Sequence, residues 1–528
     1  MKTGKVFVMV CLVSALAIMM WAQPIPAQPK YGGVFTWNHN GGIPKIGAIA
    51  DNLGPMAANR NTFPALESIL KTDENENLQP WLAESWEIST DGKKIIFHLR
   101  KGIKFQDGTN FNAEAVKYNL EAVLKGNIPG SSVLNKVSSY DVVDEHTLRM
   151  NLKEYDSTLL LRLAGGALGL MASPTAMKKE ATPETMAKLH CVGTGPFVFD
   201  SWKRDSFVQY KKWDGYWQKG KPYLDEIKIQ NIADLTVSIM SFKSGEAQAV
   251  ENIDPVDAKQ LEKEGYEIHQ PNLYFLHSIL PDGNNPNSPF AKKSVRLALE
   301  YAIDKRTIAK GVGMGYYEPL CQVAATKNPW YNPALPFREY DPKKAKQLLA
   351  EAGYPNGFKT KLISDVMARR DTLVAIQTYL KEVGIETELE IQEIGALIAQ
   401  QRNRWDGILF PGFPNVGTLV GIVDRWGDPT MFPSFYRPPG WQEKWNALRA
   451  QQDEKKLMVQ LKELLKIMYD EAVGMPYQGD CPLLVRSRNV HGFDLHANHM
   501  VSYYEPQNIW IANKKFRDSI CVRNLEEA

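Results

Sequence analysis

Cysteine is scarce in this chain, net charge is almost absent, and long apolar runs are confined to one end. Five Cys among 528 residues, none in a CxxC pair, give no sign of a zinc or dithiol centre. Cys191, Cys321, Cys481 and Cys521 lie far apart. In an oxidising compartment they would allow two disulfides with three connectivities, and they are read as structural or free. The 62 Lys and Arg meet 60 Asp and Glu, a formal charge of +2, so there is no basic field to attract nucleic acid. A Gly-x-Ser-x-Gly elbow, a His-Glu-x-x-His pair and a Gly-x-Gly-x-x-Gly turn are all missing. The chain is therefore not expected to be an enzyme, and no cofactor is implied.

What is abundant is aromatic surface. Aromatics make up 10% of the residues, and the 13 Trp require either a large core or a stacking surface. A chain of this length exceeds the roughly 250–300 residues that one core supports, so two or three domains are expected. At the N-terminus Lys2 and Lys5 precede an uncharged run over residues 6–21, closed by Ala22, Pro24, Pro26 and Ala27. That run is about 16 residues where a membrane span needs about 20. The pattern is that of a secretory signal over residues 1–27, cleaved after Ala22 or Ala27. Without Lys2 and Lys5 the 62 basic residues become 60, equal to the acidic ones.

Further along, turn and cap signals alternate. Residues 31–37 read as an opening strand. Asp91-Gly92 sits between two apolar alternations as a hairpin, and residues 142–152 read as another. Asn112 is a good N-cap for a helix burying Ala115, Val116, Leu120 and Val123, Ser294 for one burying Val295, Ala298, Leu299, Ala302 and Ile303. Asp341-Pro342 opens a helix that Gly353 ends. Hairpins mixed with isolated helices indicate an α/β (mixed α+β) fold without a regular βαβ array.

Three chemical motifs fail on inspection. Residues 215–222 have the spacing of a phosphate loop, but Pro222 stands where a Ser or Thr would hold magnesium. Asp73, Asn75, Asn77 and Glu84 fall at calcium-loop positions, yet Leu78 occupies the place of the obligatory Gly. His491, His496 and His499 share a short segment without carboxylates at ligand spacing, which reads as a surface loop.

Residues 80–87 (PWLAESWE), 97–109 (FHLRKGIKFQDGT), 111–116 (FNAEAV), 192–197 (VGTGPF), 216–227 (YWQKGKPYLDEI), 288–304 (SPFAKKSVRLALEYAID) and 340–349 (YDPKKAKQLL) closely resemble extracellular solute-binding proteins of the peptide/nickel ABC-transporter family. The resemblance implies a two-lobed clamshell with an extra inserted domain. On that template domain I takes residues 28–66, 190–272 and 485–528, domain II 67–189, and domain III 273–484. It also implies a periplasmic monomer that captures a medium-sized polar solute and delivers it to an inner-membrane ABC permease. In peptide-binding relatives an aromatic residue followed by Asp anchors the ligand amine. The matching stretch, 405–417 (WDGILFPGFPNVG), has no Asp after Phe413 until Asp424. Either Asp424 or Asp428 would then have to fold back, or the ligand is not a free peptide. Trp37, His39, Asn40, Trp330, Tyr331, Trp405, Phe410, Phe413, Asn415 and Trp426 form the candidate ligand-binding set. Aromatic faces with Asn donors suit an oligopeptide-like or neutral solute such as an oligosaccharide. The alternatives are a nickel-type metal-chelate receptor using His39, His277 or the 491–499 segment, and a secreted hydrolase with a carboxylate pair.

Overall fold

The structure is a computed structural model that describes residues 28–512 apart from 44, 49–59, 127–129, 165–167, 272–274, 367, 412–414, 429 and 499–500. The signal segment, Cys521, Phe413 and His499 lie outside the described residues. Among those described, Cys191, Cys321 and Cys481 are free and buried.

Two mixed sheets of seven strands make the two lobes. In the first, Val34–His39 lies between Glu226–Asn231 and Ala249–Ile253, parallel to both, and Leu483–Arg486 and Ile268–His269 extend the edge. In the second, Phe358–Asp365 runs parallel to Ile385–Gln392 and Ile408–Phe410, and Phe275–Pro281 pairs antiparallel with Met475–Asp480. The chain passes between the sheets twice, once between strands Ile268–His269 and Phe275–Pro281 and once between Met475–Asp480 and Leu483–Arg486. A four-stranded antiparallel sheet, built on Ala83–Ile88, Lys94–Leu99, Thr147–Leu152 and Val137–Asp144, forms the inserted domain.

Local signals produce these elements where they are strong. Asp91-Gly92 turns the first hairpin, with Gly92 at φ 67° where a side chain would be strained. The Asn112 carboxamide oxygen accepts the Ala115 N–H at 3.0 Å and starts helix Ala113–Lys125. Asp341 does the same for Lys344 at 2.9 Å. Ser294 is different: helix Lys293–Ala302 begins one residue before it, with Lys292 at the cap position. Individual βαβ units occur within the mixed sheets, without a regular array. Strand Phe358–Asp365, helix Arg370–Glu382 and strand Ile385–Gln392 form a parallel crossover, as do Glu226–Asn231, Leu235–Ser244 and the strand Ala249–Ile253, which reach each other through Val34–His39. Strands flanked by helices on a twisted sheet need no tight turns, so hairpin signals do not reveal them.

One carboxyl group ties the start of the inserted domain to the first lobe. Glu67 is buried and accepts hydrogen bonds from the Tyr216 hydroxyl at 2.8 Å, the Thr194 hydroxyl at 2.8 Å and the Trp217 indole N–H at 2.9 Å. Burial outweighs these donors and pushes the carboxyl up to about 7.

Candidate functional site

In an open α/β sheet, loops at the carboxyl ends of parallel strands are where ligands bind. Here both lobes turn those ends toward each other. Asp254, which precedes helix Pro255–Lys263, follows the end of one first-lobe strand, and Arg369, which precedes helix Arg370–Glu382, follows the end of one second-lobe strand. Arg369 Nη1 and Asp254 Oδ1 stand 3.7 Å apart across the gap. Lys259 meets the Tyr316 ring across the same gap at 4.3 Å. Arg369 also pairs with Asp371 at 3.3 Å, and these acids raise the basicity of its guanidinium despite partial burial.

At the end of Val34–His39 the side chains divide by depth. Asn40 is exposed and accepts from the Asn252 amide at 3.0 Å; Asn252 holds a left-handed backbone, φ 60°. His39 is buried. Its Nδ1 accepts the Gly41 N–H at 3.0 Å, while burial and the Arg60 charge hold its pKa well below the usual value. It is thus a neutral ring with the proton on Nε2. Beneath it Arg60 Nη1 bonds both carboxylate oxygens of Glu251, at 2.8 and 2.7 Å, and its guanidinium lies 5.7 Å from the Trp37 ring.

The sequence-derived set does not converge as one aromatic wall. Trp37 is fully buried against Phe493 and Tyr504 and belongs to the first-lobe core. Trp405 donates its indole N–H to the Leu280 carbonyl at 3.2 Å inside the second lobe. Trp426 packs on Phe432 and Phe435. All three indoles are buried in the cores of their lobes. Trp330 and Tyr331 pack on the same second-lobe cluster, and Phe410 ends its strand with its ring 5.3 Å from Tyr477. Asn415 pairs through its backbone with Leu276.

Neither aspartate fills the vacant amine-anchor position. Asp424 forms an ion pair with the buried Arg162 of the inserted domain. Asp428 accepts from the Thr430 N–H and hydroxyl at 2.8 and 2.7 Å, closing a turn. Metal ligation fares no better: no His, Cys, Asp and Glu group among the described residues could hold an ion. His277 Nε2 is bonded to Asp480 at 2.8 Å and His491 is stacked on Trp510 at 4.0 Å. The calcium-like loop is an Asp turn, since Asp73 accepts from the backbone of Asn75 and Asn77 and from the Asn77 amide, all at 2.9 Å. Arg369 escaped the sequence reading. The doublet Arg369-Arg370 before an apolar helix was the available signal, but a charge pair in a loop means little until its opposite lobe is known.

The model for bacterial extracellular solute-binding proteins, family 5 Middle, matches residues 77–432. Among curated proteins, the Glutathione-binding protein GsiB of Shigella flexneri is 34% identical over 366 residues, covering 67% of this chain and 70% of that one. GsiB of Escherichia coli K12 is 33% identical over the same length. Among solved structures, NikA from Brucella suis in complex with Fe(III)-EDTA has a TM-score of 0.76 at 23% identity, covering 90% of this chain and all of NikA. DppA from Helicobacter pylori in complex with the peptide STSA has 0.72 at 22% identity, covering 92% and 99%. These likenesses in architecture agree with two lobes around one cleft. The chain belongs to the bacterial extracellular solute-binding proteins of family 5, receptors that capture a solute for an ABC transporter.

Proposed function

We propose that this chain is exported with residues 1–27 as a cleaved signal, remains a periplasmic monomer, and takes a peptide-like solute bearing a carboxylate between its lobes for delivery to an inner-membrane ABC permease. The division into residues 28–66, 190–272 and 485–528, then 67–189, then 273–484, is part of that reading. The observation that carries it is the Arg369 and Asp254 pair. A charge of each sign faces the cleft from opposite lobes, each at a helix beginning, where Arg369 adds to the helix's own attraction for an anion. A zwitterionic solute would replace the pair, with its carboxylate on Arg369 and a positive group near Asp254, so that closing the lobes around it is favoured by contacts to both. Asn40 and Asn252 add neutral polar groups at the first-lobe rim. The name of the glutathione-binding relatives, and the peptide in DppA, support a peptide-like rather than a saccharide solute. The reading is of a receptor without turnover.

The test is a thermal-shift and calorimetric screen of the mature chain with glutathione, tripeptides, their C-terminal amides, oligosaccharides and metal chelates. A ligand at 100 Kd stabilises by about 2.7 kcal/mol. Stabilisation by the free acids and not by the amides is expected. Stabilisation by oligosaccharides or chelates alone would overturn the carboxylate assignment.

A further inference from the structure

Between the inserted domain and the second lobe lies a cavity of about 200 Å³ to which the first lobe contributes no residue. Neither Arg369 nor Asp254 lines it. Its apolar wall is built by Leu78, Trp86, Leu161, Trp330, Leu457 and Met458. Among the described residues its charged lining is of one sign: Glu76 and Glu454 reach it, and no Lys or Arg does.

Glu76 is the unusual member. Its backbone is left-handed, φ 65°, a conformation that costs a non-glycine residue on the order of 1 kcal/mol. The strain aims its side chain across the domain boundary. One carboxyl oxygen accepts the N–H of Leu419, the first residue of helix Leu419–Gly427, at 3.1 Å. The other has no hydrogen bond among the described residues. The surroundings push the carboxyl up to about 8, with burial as the cause and the Leu419 bond as the only opposing contribution. Nearby, the buried Trp330 indole N–H has no hydrogen bond among the described residues. The Tyr155 hydroxyl, also lining the cavity, is itself pushed up to about 12 by burial, with Asp156 and Glu454 adding.

A half-buried carboxyl group that lines a cavity with two indoles and aliphatic chains, where a second acid but, among the described residues, no Lys or Arg also reaches, is relieved by a cation. Indole faces attract cations as well. An apolar cavity of about 150 Å³ accepts benzene, so this one has room for a ring with a short chain. We propose that the cavity between the inserted domain and the second lobe is a second binding site, for a small organic amine with an apolar tail, the ammonium on Glu76 and the tail among Trp86, Trp330 and Met458. Such a ligand touches both domains and would hold them together independently of the solute cleft.

The test is isothermal calorimetry on the ligand-free mature chain at about pH 7, with phenethylamine, 2-phenylethanol and 3-phenylpropanoate as probes. Phenethylamine is expected to bind with release of close to one proton, read from buffers of different ionisation enthalpy, because Glu76 must ionise to pair with it. The alcohol should bind at least about tenfold more weakly and the carboxylate not at all. E76Q keeps an acceptor for Leu419 and so keeps the domain contact, but should lose about tenfold or more in amine affinity. Met458→Trp fills the cavity and should abolish binding. Equal binding of amine and alcohol, an unchanged E76Q, or no heat at millimolar amine would overturn the proposal. So would loss of amine binding in Asp254→Asn, since the probe would then be in the solute cleft.

Discussion

Raising the pH from about 5 to about 8 should remove about 2.5 kcal/mol from the stability of the first lobe through Glu67 alone. The carboxyl has an ordinary value of 4.5 in the unfolded chain and about 7 in the fold, where burial is the dominant cause. A raised acid binds its proton more tightly when folded. Its contribution is therefore fully present below the unfolded value and is lost as pH climbs through the folded one. With 4.5 and about 7, some 0.8 kcal/mol is already gone at pH 5 and about 3.3 at pH 8. Glu67→Gln isolates this effect from every other titrating group. The amide fits the site in one orientation: its oxygen takes the Thr194 and Trp217 donors, and its NH₂ faces Tyr216, whose hydroxyl can turn to accept while the Trp N–H cannot. At pH 5 the variant should lie within about 1 kcal/mol of wild type; at pH 8 it should be the more stable by about 1–2 kcal/mol. Urea denaturation of the ligand-free mature chain across this range, followed by near-ultraviolet circular dichroism, measures both curves. Curves that stay parallel to within about 0.5 kcal/mol would refute the reasoning, because a carboxyl already ionised in the fold would titrate no differently from the amide.

Arg369→Ala should weaken a carboxylate-bearing solute by about tenfold or more in calorimetry and leave the melting temperature of the free chain within a degree or two, since its ion pairs are half-exposed. Glu251→Gln leaves the buried Arg60 without its carboxylate and should cost about 3–5 kcal/mol in urea denaturation; a loss under 1 kcal/mol would mean that water reaches the guanidinium. Gly474→Ala combines a left-handed φ of 59° with a new methyl 2.1 Å from the Trp426 ring, so the second lobe should lose several kcal/mol or unfold, read as a lower-melting calorimetric transition. The Cys191 thiol, pushed up to about 12 by burial, should be silent to a thiol reagent until denaturant is added.

Hairpins and caps were legible because each is decided within a few residues: Asp91-Gly92, Asn112 and Asp341 act on their own neighbours. Ser294 misled because a Ser one residue into a helix carries the same short-range signal as one at its cap. The family segments gave the two lobes and the inserted domain. The cleft was legible as the space between two lobes. Trp37, Trp405 and Trp426 look like ligand surface in a list of aromatics, and only the fold shows that Phe493, Leu280 and Phe435 pack around them. Arg369 with Asp254, and Glu76 with Leu419, join positions 115 and 343 residues apart, a separation at which no local pattern operates.

The two passages of chain between the sheets also set an order of assembly. The second lobe is almost one continuous stretch, from Phe275 to Asp480, and has all its strands as soon as that stretch is made. The first sheet does not. Strand Leu483–Arg486 fills the place between Ala249–Ile253 and Ile268–His269, so until it arrives Ala249–Ile253 presents an unpaired edge and Ile268–His269 has no neighbour. More than two hundred residues must be synthesised between the strand that waits and the strand that completes it. Throughout that interval a finished second lobe is tethered to a half-built first one, and it is there that a chaperone would be needed most.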